Sequence, residues 1–124
     1  MKSYTDLEQS KKLIEILPLE SADMYYFRQI DNDYFPPNVE SICPVPLFKD
    51  GKENFDYDIR CWSLAALLSV LPNGTDITKD KADTENEKYM CTVGVKDDII
   101  STFGNNPVDA CVDMILKLNE LNLL

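Results

Sequence analysis

The succession of patterns along this chain predicts an α+β fold, a small antiparallel sheet of about three to four strands with about three helices packed mainly on one face. Capped segments with helical periodicity stand near the start, in the middle and at the end, with strand-like segments between them. Two of the strand-like segments are separated by only a few polar residues, which makes a hairpin and therefore antiparallel pairing. At 124 residues the chain is sized for a single domain, 1–124, that buries a core without metal or disulfide support. A hydrophobic content of 44% sets it apart from disordered chains, and no internal repeat is present.

The first helix is expected over Thr5–Leu17, with Thr5 as N-cap and Glu8 closing a capping box. Leu7, Leu13, Ile14, Ile16 and Leu17 supply its apolar side, and Pro18 stops it. Met24–Ile30, MYYFRQI, is aromatic and suits a strand. DNDYFPPN follows as a loop, and Ile42–Phe48, broken by Pro44 and Pro46, reads as an edge strand or extended coil. Lys49–Asp58 is polar and turn-like around Asp50 and Gly51.

Ser63 is the N-cap expected for a central helix, with Trp62 and Leu67 placed as a hydrophobic staple. Between Leu64 and Leu71 only Ser69 is polar, so this helix is expected to be buried nearly all round, and Pro72, Asn73 and Gly74 end it. Residues 75–88, TDITKDKADTENEK, have almost no apolar content and read as a mobile charged loop. Tyr89–Val95 and Ile99–Phe103 form the hairpin around Lys96, Asp97 and Asp98, with a helix starting at Asp97 as the competing reading.

Asn106 caps the last helix, Pro107 occupies its first turn and Asp109 its third position. Along Pro107–Leu124, the residues Asp109, Asp113, Lys117 and Glu120 make a narrow polar stripe, and Val108, Ala110, Cys111, Val112, Met114, Ile115, Leu116, Leu118 and Leu121 cover the rest. So much apolar surface must be covered by the chain's own sheet, by a second copy, or by a partner.

The composition excludes several chemistries. There is no histidine, which removes the usual general base and the Ser–His and Cys–His nucleophile pairs. No GxGxxG, GxxxxGK[ST] or GxSxG string occurs, so glycine-rich phosphate cradles are unsupported. Asp31 and Asp33 in IDNDYF lack the glycine and terminal glutamate of a calcium loop. Twenty-two acids make any single carboxylate pair an arbitrary choice. Cys43, Cys61, Cys91 and Cys111 form no CxxC pair and sit among apolar neighbours, as buried free thiols do; a four-thiolate metal site or a disulfide are the competing readings. No cofactor is expected.

The net charge is -10, with twelve acids against seven bases in residues 1–60 and ten against five in 61–124, so each half comes to -5. That balance opposes direct binding to a nucleic-acid backbone, which needs cations to displace counterions. It fits either an evenly solvated surface or an acidic mimic of DNA. No stretch approaches the roughly 20 apolar residues of a membrane span and MKSYTDLEQSKK has no apolar leader core, so a soluble cytoplasmic protein without membrane contact is expected.

Four segments, TDLEQSKKLIEIL, the aromatic YYF, SLAALLSVLP and NPVDACVDMILKLNELNLL, together resemble small uncharacterised, hypothetical proteins of phages, prophages and mobile elements in gut bacteria. Those proteins open on an LEQAK-like helix, carry a leucine-rich helix ending in LP, and close on an NPAEA-like helix. The resemblance covers about half of the chain and rests on helix caps and core leucines; it implies a fold and a mobile-element origin, and no activity or catalytic residue. The function expected is that of a non-enzymatic accessory protein acting through protein contacts, with an acidic DNA-mimic inhibitor of a nucleic-acid enzyme as the alternative. The expected interaction surfaces are the aromatic group Tyr25, Tyr26, Phe27, Tyr34 and Phe35, for an unknown protein partner, and Met114, Leu118 and Leu121 of the last helix, for a homodimer.

Overall fold

The computed structural model describes residues 2–26, 28–29, 41–42, 46–48, 59–80 and 88–124. The first helix, α1, is Leu7–Ile14, and its cap is Asp6, one residue later than expected. The Asp6 carboxylate accepts from the Gln9 backbone N–H at 2.8 Å while the Gln9 side-chain oxygen accepts from the Asp6 N–H at 3.1 Å. A capping box is present, but its members are Asp6 and Gln9 rather than Thr5 and Glu8. Thr5 is fully buried, and its hydroxyl is spent elsewhere. The helix also stops short of Leu17, whose N–H still reaches the Leu13 carbonyl at 2.8 Å before a 3-10 turn at Leu19–Ser21.

β1, Met24–Tyr26, lies between β4, Leu47–Phe48, and β5, Ile59–Cys61, antiparallel to both. β2, Arg28–Gln29, and β3, Ser41–Ile42, pair as a separate two-stranded ladder. The aromatic strand is therefore present in two short pieces, and Leu47–Phe48 is an edge strand as expected. The turn-like segments 31–40 and 49–58 lie outside the described residues. β1 is buried along its length, and residues 3–5, which run antiparallel beside 62–64, cover the face that carries Tyr26. The Thr5 N–H donates to the Trp62 carbonyl at 2.9 Å, and the Trp62 N–H donates to the Thr5 hydroxyl at 3.1 Å. The Thr5 carbonyl accepts from the Tyr26 hydroxyl at 2.6 Å and the Cys61 thiol at 3.4 Å, and the Thr5 hydroxyl bonds Ser10 at 2.8 Å. Every polar group brought inside by this strand crossing thereby has a partner.

α2 is Leu64–Val70, capped by Ser63, whose hydroxyl accepts from the Ala66 N–H. Trp62 and Leu67, on either side of that cap, are both fully buried in one cluster. The helix is not buried all round, however: Ala65, Leu68 and Ser69 face outward, since the elements that pack on α2 meet one side of it. Gly74, at φ +84°, makes the turn that follows. A second antiparallel sheet then runs β6, Asp76–Asp80, β7, Lys88–Val95, and β8, Asp98–Gly104, in that spatial order. The charged segment expected as a loop over 75–88 thus begins with a strand, and residues 81–87 of it lie outside the described residues. β6 buries little beyond Ile77, which is why its sequence does not look like a strand. β7 and β8 form the expected hairpin, closed by the pair Val95 and Asp98 across a two-residue turn with Lys96 at φ 52°. The helical alternative at Asp97 does not occur.

α3, Pro107–Glu120, has Asn106 as N-cap, its side chain accepting from the Asp109 N–H at 2.9 Å. Its other end closes as a Schellman motif: Asn122, at φ 56°, donates to the Asn119 carbonyl and Leu123 to the Leu118 carbonyl. The architecture is the α+β class expected, with three α-helices and two three-stranded antiparallel sheets rather than one among the described residues. α3 lies across the inner face of β7 and β8, and Leu13, Leu17, Trp62, Leu67 and Leu71 complete the core with Cys91, Val93, Val108, Val112, Met114, Ile115 and Leu118. Met24, Tyr26 and Cys61 form a smaller second cluster with Tyr4, Leu7 and Ile59 beside it.

Two contacts hold the helices in place. Thr102 on β8 donates to the Ala110 carbonyl at 2.8 Å, and a Cβ on Gly104 would stand 2.6 Å from the Ala110 nitrogen, so β8 and the start of α3 meet at backbone distance. In the same first turn of α3, Asp109 accepts from Lys2 and from Gln9, each at 2.8 Å, and Lys2 also donates to Asp6 at 2.9 Å. Partial burial raises the carboxyls of Asp109 and Asp6. Hydrogen bonds and charge outweigh burial and hold both below the ordinary carboxylate range, led by Lys2 and the Gln9 side chain at Asp109, and by the Gln9 N–H of the capping box followed by Lys2 at Asp6. Asp113 is shifted the other way, upward, by burial and by the nearby Asp109.

Gly104→Ala is expected to destabilise the domain by about 1–3 kcal/mol, the usual cost of an atom with no room; urea denaturation against the parent chain measures it. Carboxylates with a depressed folded pKa contribute stability that is complete above their unfolded pKa and lost as the pH falls through the folded one. Unfolding free energy should therefore drop as the pH falls through and below the ordinary carboxylate range, against an opposite contribution from Asp113. Lys2→Met should flatten the acid limb, and an unchanged limb would remove the clasp as its cause.

Candidate interaction surface

The structure separates the residues expected at interfaces. Tyr25 and Tyr26 are 5% and 2% exposed, so they are core and offer no docking face. Tyr26 meets Tyr4 edge to face, with ring centroids 6.5 Å apart, and burial followed by the neighbouring Cys61 pushes its phenol pKa upward. Phe27, Tyr34 and Phe35 lie outside the described residues. Met114 and Leu118 are fully buried against the sheet and the other helices, which corrects their assignment to a dimer interface. Leu121 alone of that set is at the surface, 46% exposed, past the last helical residue.

The buried reactive groups are structural in their surroundings. Cys61, Cys91 and Cys111 are free thiols with no exposed surface, Cys61 in the smaller cluster and the other two in the main core, while Cys43 lies outside the described residues. Burial outweighs the hydrogen bonds to Thr5, Ser10 and Tyr26 and keeps the Cys61 pKa raised. The hydrogen bond with Cys91, together with burial, pushes that of Cys111 up. A thiol held protonated in this way is a poor nucleophile and a poor metal ligand.

A cleft of about 530 Å³ opens beside the edge strand β4, walled by Tyr4, Met24, Phe48 and Leu64, with Asp23 and Ser63 at its polar side. Both Asp23 oxygens are engaged by Ser63, one by its N–H at 2.9 Å and the other by its hydroxyl in a very short hydrogen bond. The same hydroxyl accepts from Ala66 as the α2 cap. The pair locks the entry to the helix, and neither group is presented to the cleft as an idle donor or acceptor.

The second sheet presents the strongest surface feature. Its inner face is covered by α3, and its outer face carries Thr78, Met90 and Phe103 in one row, Asp76, Thr92 and Ser101 in the next, and Gly94 beside Ile99. Ile99 is 74% exposed and Phe103 52% exposed, both on β8, which is an edge strand of this sheet. The two edges differ in chemistry. β6 reads DITKD, with charges at both ends and Lys79 between them, the composition that protects an edge; β8 reads DIISTFG and has no charge after its first residue. Among the described residues no strand pairs with the far side of β8. Sequence reasoning missed this surface because Ile99 and Phe103 looked like ordinary hairpin residues; their placement two and four residues from Ser101 and Ile99 respectively fixes them on one face, but which face is outward depends on α3.

No protein-family model, curated protein or solved structure matches the chain. Among the described residues no helix is long and apolar enough to cross a membrane.

Tyr26→Ala should cost about 3–5 kcal/mol, as removal of a large buried side chain does, whereas Phe103→Ser on the open face should stay within about 0.5 kcal/mol of the parent. Thermal or urea unfolding of the two variants distinguishes core from surface directly.

Proposed function

We propose that the protein is a non-enzymatic accessory protein of phage or mobile-element origin that works in the cytoplasm through protein–protein contacts, with the outer face and open edge of the second sheet as its contact surface. The observation that carries this reading is the exposure of Ile99 and Phe103 on an edge strand with no charge after Asp98. An edge of this kind is a template for an added strand, and natural chains blunt such edges unless they are used. The origin rests on the sequence resemblance alone. The acidic-decoy alternative draws on the net charge of -10, and a carboxylate surface of that sort would engage a nucleic-acid enzyme in a salt-sensitive way.

Capture of a tagged chain from an extract of its own host tests the reading. Retention of a protein that resists salt and is lost from an Ile99→Ser, Phe103→Ser double variant is the outcome expected. Salt-sensitive retention of a nucleic-acid enzyme, unchanged by the double variant, would replace this reading with the decoy.

A further inference from the structure

The hairpin geometry determines what the open edge of β8 can accept. A two-residue turn makes its closing pair, Val95 and Asp98, a hydrogen-bonded pair, and the alternation of an antiparallel ladder then makes Ile100 and Thr102 hydrogen-bonded to β7 as well. Ile99, Ser101 and Phe103 are the residues whose N–H and C=O groups point to the free edge. Their side chains are also those on the exposed face of the sheet. One set of three residues thus supplies both the backbone and the side chains of the edge, and it is nearly symmetric about Ser101.

We propose that the occupant of this edge is a second copy of the chain, added antiparallel with Ser101 on the two-fold axis, so that two three-stranded sheets become one continuous six-stranded sheet. The inference rests on the contact reading above and names the partner. In this register Ile99 faces Phe103 of the second copy, and Phe103 faces its Ile99, giving two cross-strand aromatic–β-branched pairs, which are among the favourable pairings in sheets. Ser101 faces its own counterpart. The three facing pairs exchange about six backbone hydrogen bonds.

Charge selects β8 over the other edge. Two β8 strands bring Asp98 opposite Gly104, and the two Asp98 carboxylates stand about 20 Å apart, well beyond the screening length of about 8 Å at physiological salt. β6 carries charges at Asp76 and Lys79 within its short length, whereas β8 has none after Asp98. The edge strands of the first sheet are two and three residues long, too short for a stable ladder. Each chain carries -10, so a self-association site must be a part of the surface where that charge is absent, and residues 99–104 are such a part. An interface built on one strand pair is small, and the dimer is expected to be of micromolar strength.

The 124-residue chain is placed in the analytical ultracentrifuge from about 1 to 300 μM, a range that brackets micromolar dissociation constants. The expected result is a mass rising from 14.2 kDa toward twice that value. Ser101→Pro removes an N–H that β7 does not use, so it should leave the monomer folded while weakening the dimer about tenfold or more. Ile99→Lys/Phe103→Lys and Ile99→Glu/Phe103→Glu should each be monomeric and should form a one-to-one complex when mixed, because each lysine then faces a glutamate. Circular dichroism and thermal unfolding of each variant confirm that it is folded. A mass of 14.2 kDa throughout the range, or a dimer indifferent to Ser101→Pro and to the charge pairs, overturns the proposal. The host-extract capture is read separately, so a monomeric chain that still retains a partner through Ile99 and Phe103 would sink the second copy and leave the contact reading standing.

Discussion

Thr5 is the residue on which the join between the two halves of this fold depends. It stands where the N-terminal segment crosses beside Trp62, and there its three polar groups make six hydrogen bonds to four residues: Trp62 twice, Cys61 twice, Tyr26 and Ser10. The first sheet contributes Tyr26 and Cys61, α1 contributes Ser10, and Trp62 opens the way to α2. Buried polar groups are expensive when unmet and favourable when every member of a network is satisfied. The crossing is therefore stable in one register only. A slip of one residue would bring Tyr4 or Asp6 inward in place of Thr5 and leave the Trp62 N–H and the Ser10 hydroxyl without the Thr5 hydroxyl they bond.

From that crossing the two sheets acquire different characters. The first is short-stranded, covered by residues 3–5 on the face that carries Tyr26, and buried along β1. The second is longer, covered on one face by α3 and open on the other. Packing and contact surface are thus divided by face, with β1 and the inner face of β7 and β8 turned to the interior and the outer face of β8 turned outward. The three described thiols lie inside, Cys61 in the smaller cluster and Cys91 and Cys111 in the main core, and the Asp23–Ser63 pair is bonded at the start of α2.

Features that a few neighbouring residues decide were legible in the sequence. Ser63 and Asn106 are caps because a side-chain oxygen next to a helix start needs only the first turn to act on. The hairpin of Tyr89 and its neighbours followed from the same kind of local pattern. Features that depend on distant residues were not legible. Thr5 and Asp6 both suit a cap, and the choice falls to Asp6 because Thr5 is needed 57 residues away at Trp62. Asp76–Asp80 looks like a loop because an edge strand needs only Ile77 inside, and its charges reflect edge protection rather than disorder. The aromatic strand and the last helix both appeared to have apolar surface to spare. The N-terminal segment covers the first, and β7, β8 and the other helices cover the second, a matter of tertiary arrangement that periodicity alone does not contain.

The clasp at Asp109 has a consequence for the order in which the chain acquires its shape. Lys2 and Gln9 reach a partner 107 and 100 residues further along, and the helix that carries it supplies much of the main core. During synthesis α1 meets β5 and Trp62 well before α3 exists, whereas contacts of the clasp's separation form late because a long loop must close first. Leu13 and Leu17 therefore keep part of their surface uncovered until α3 emerges and completes the main core. The chain's acidic surface would keep neighbouring nascent copies apart during that interval, a protection that matters most while the apolar residues are still in water.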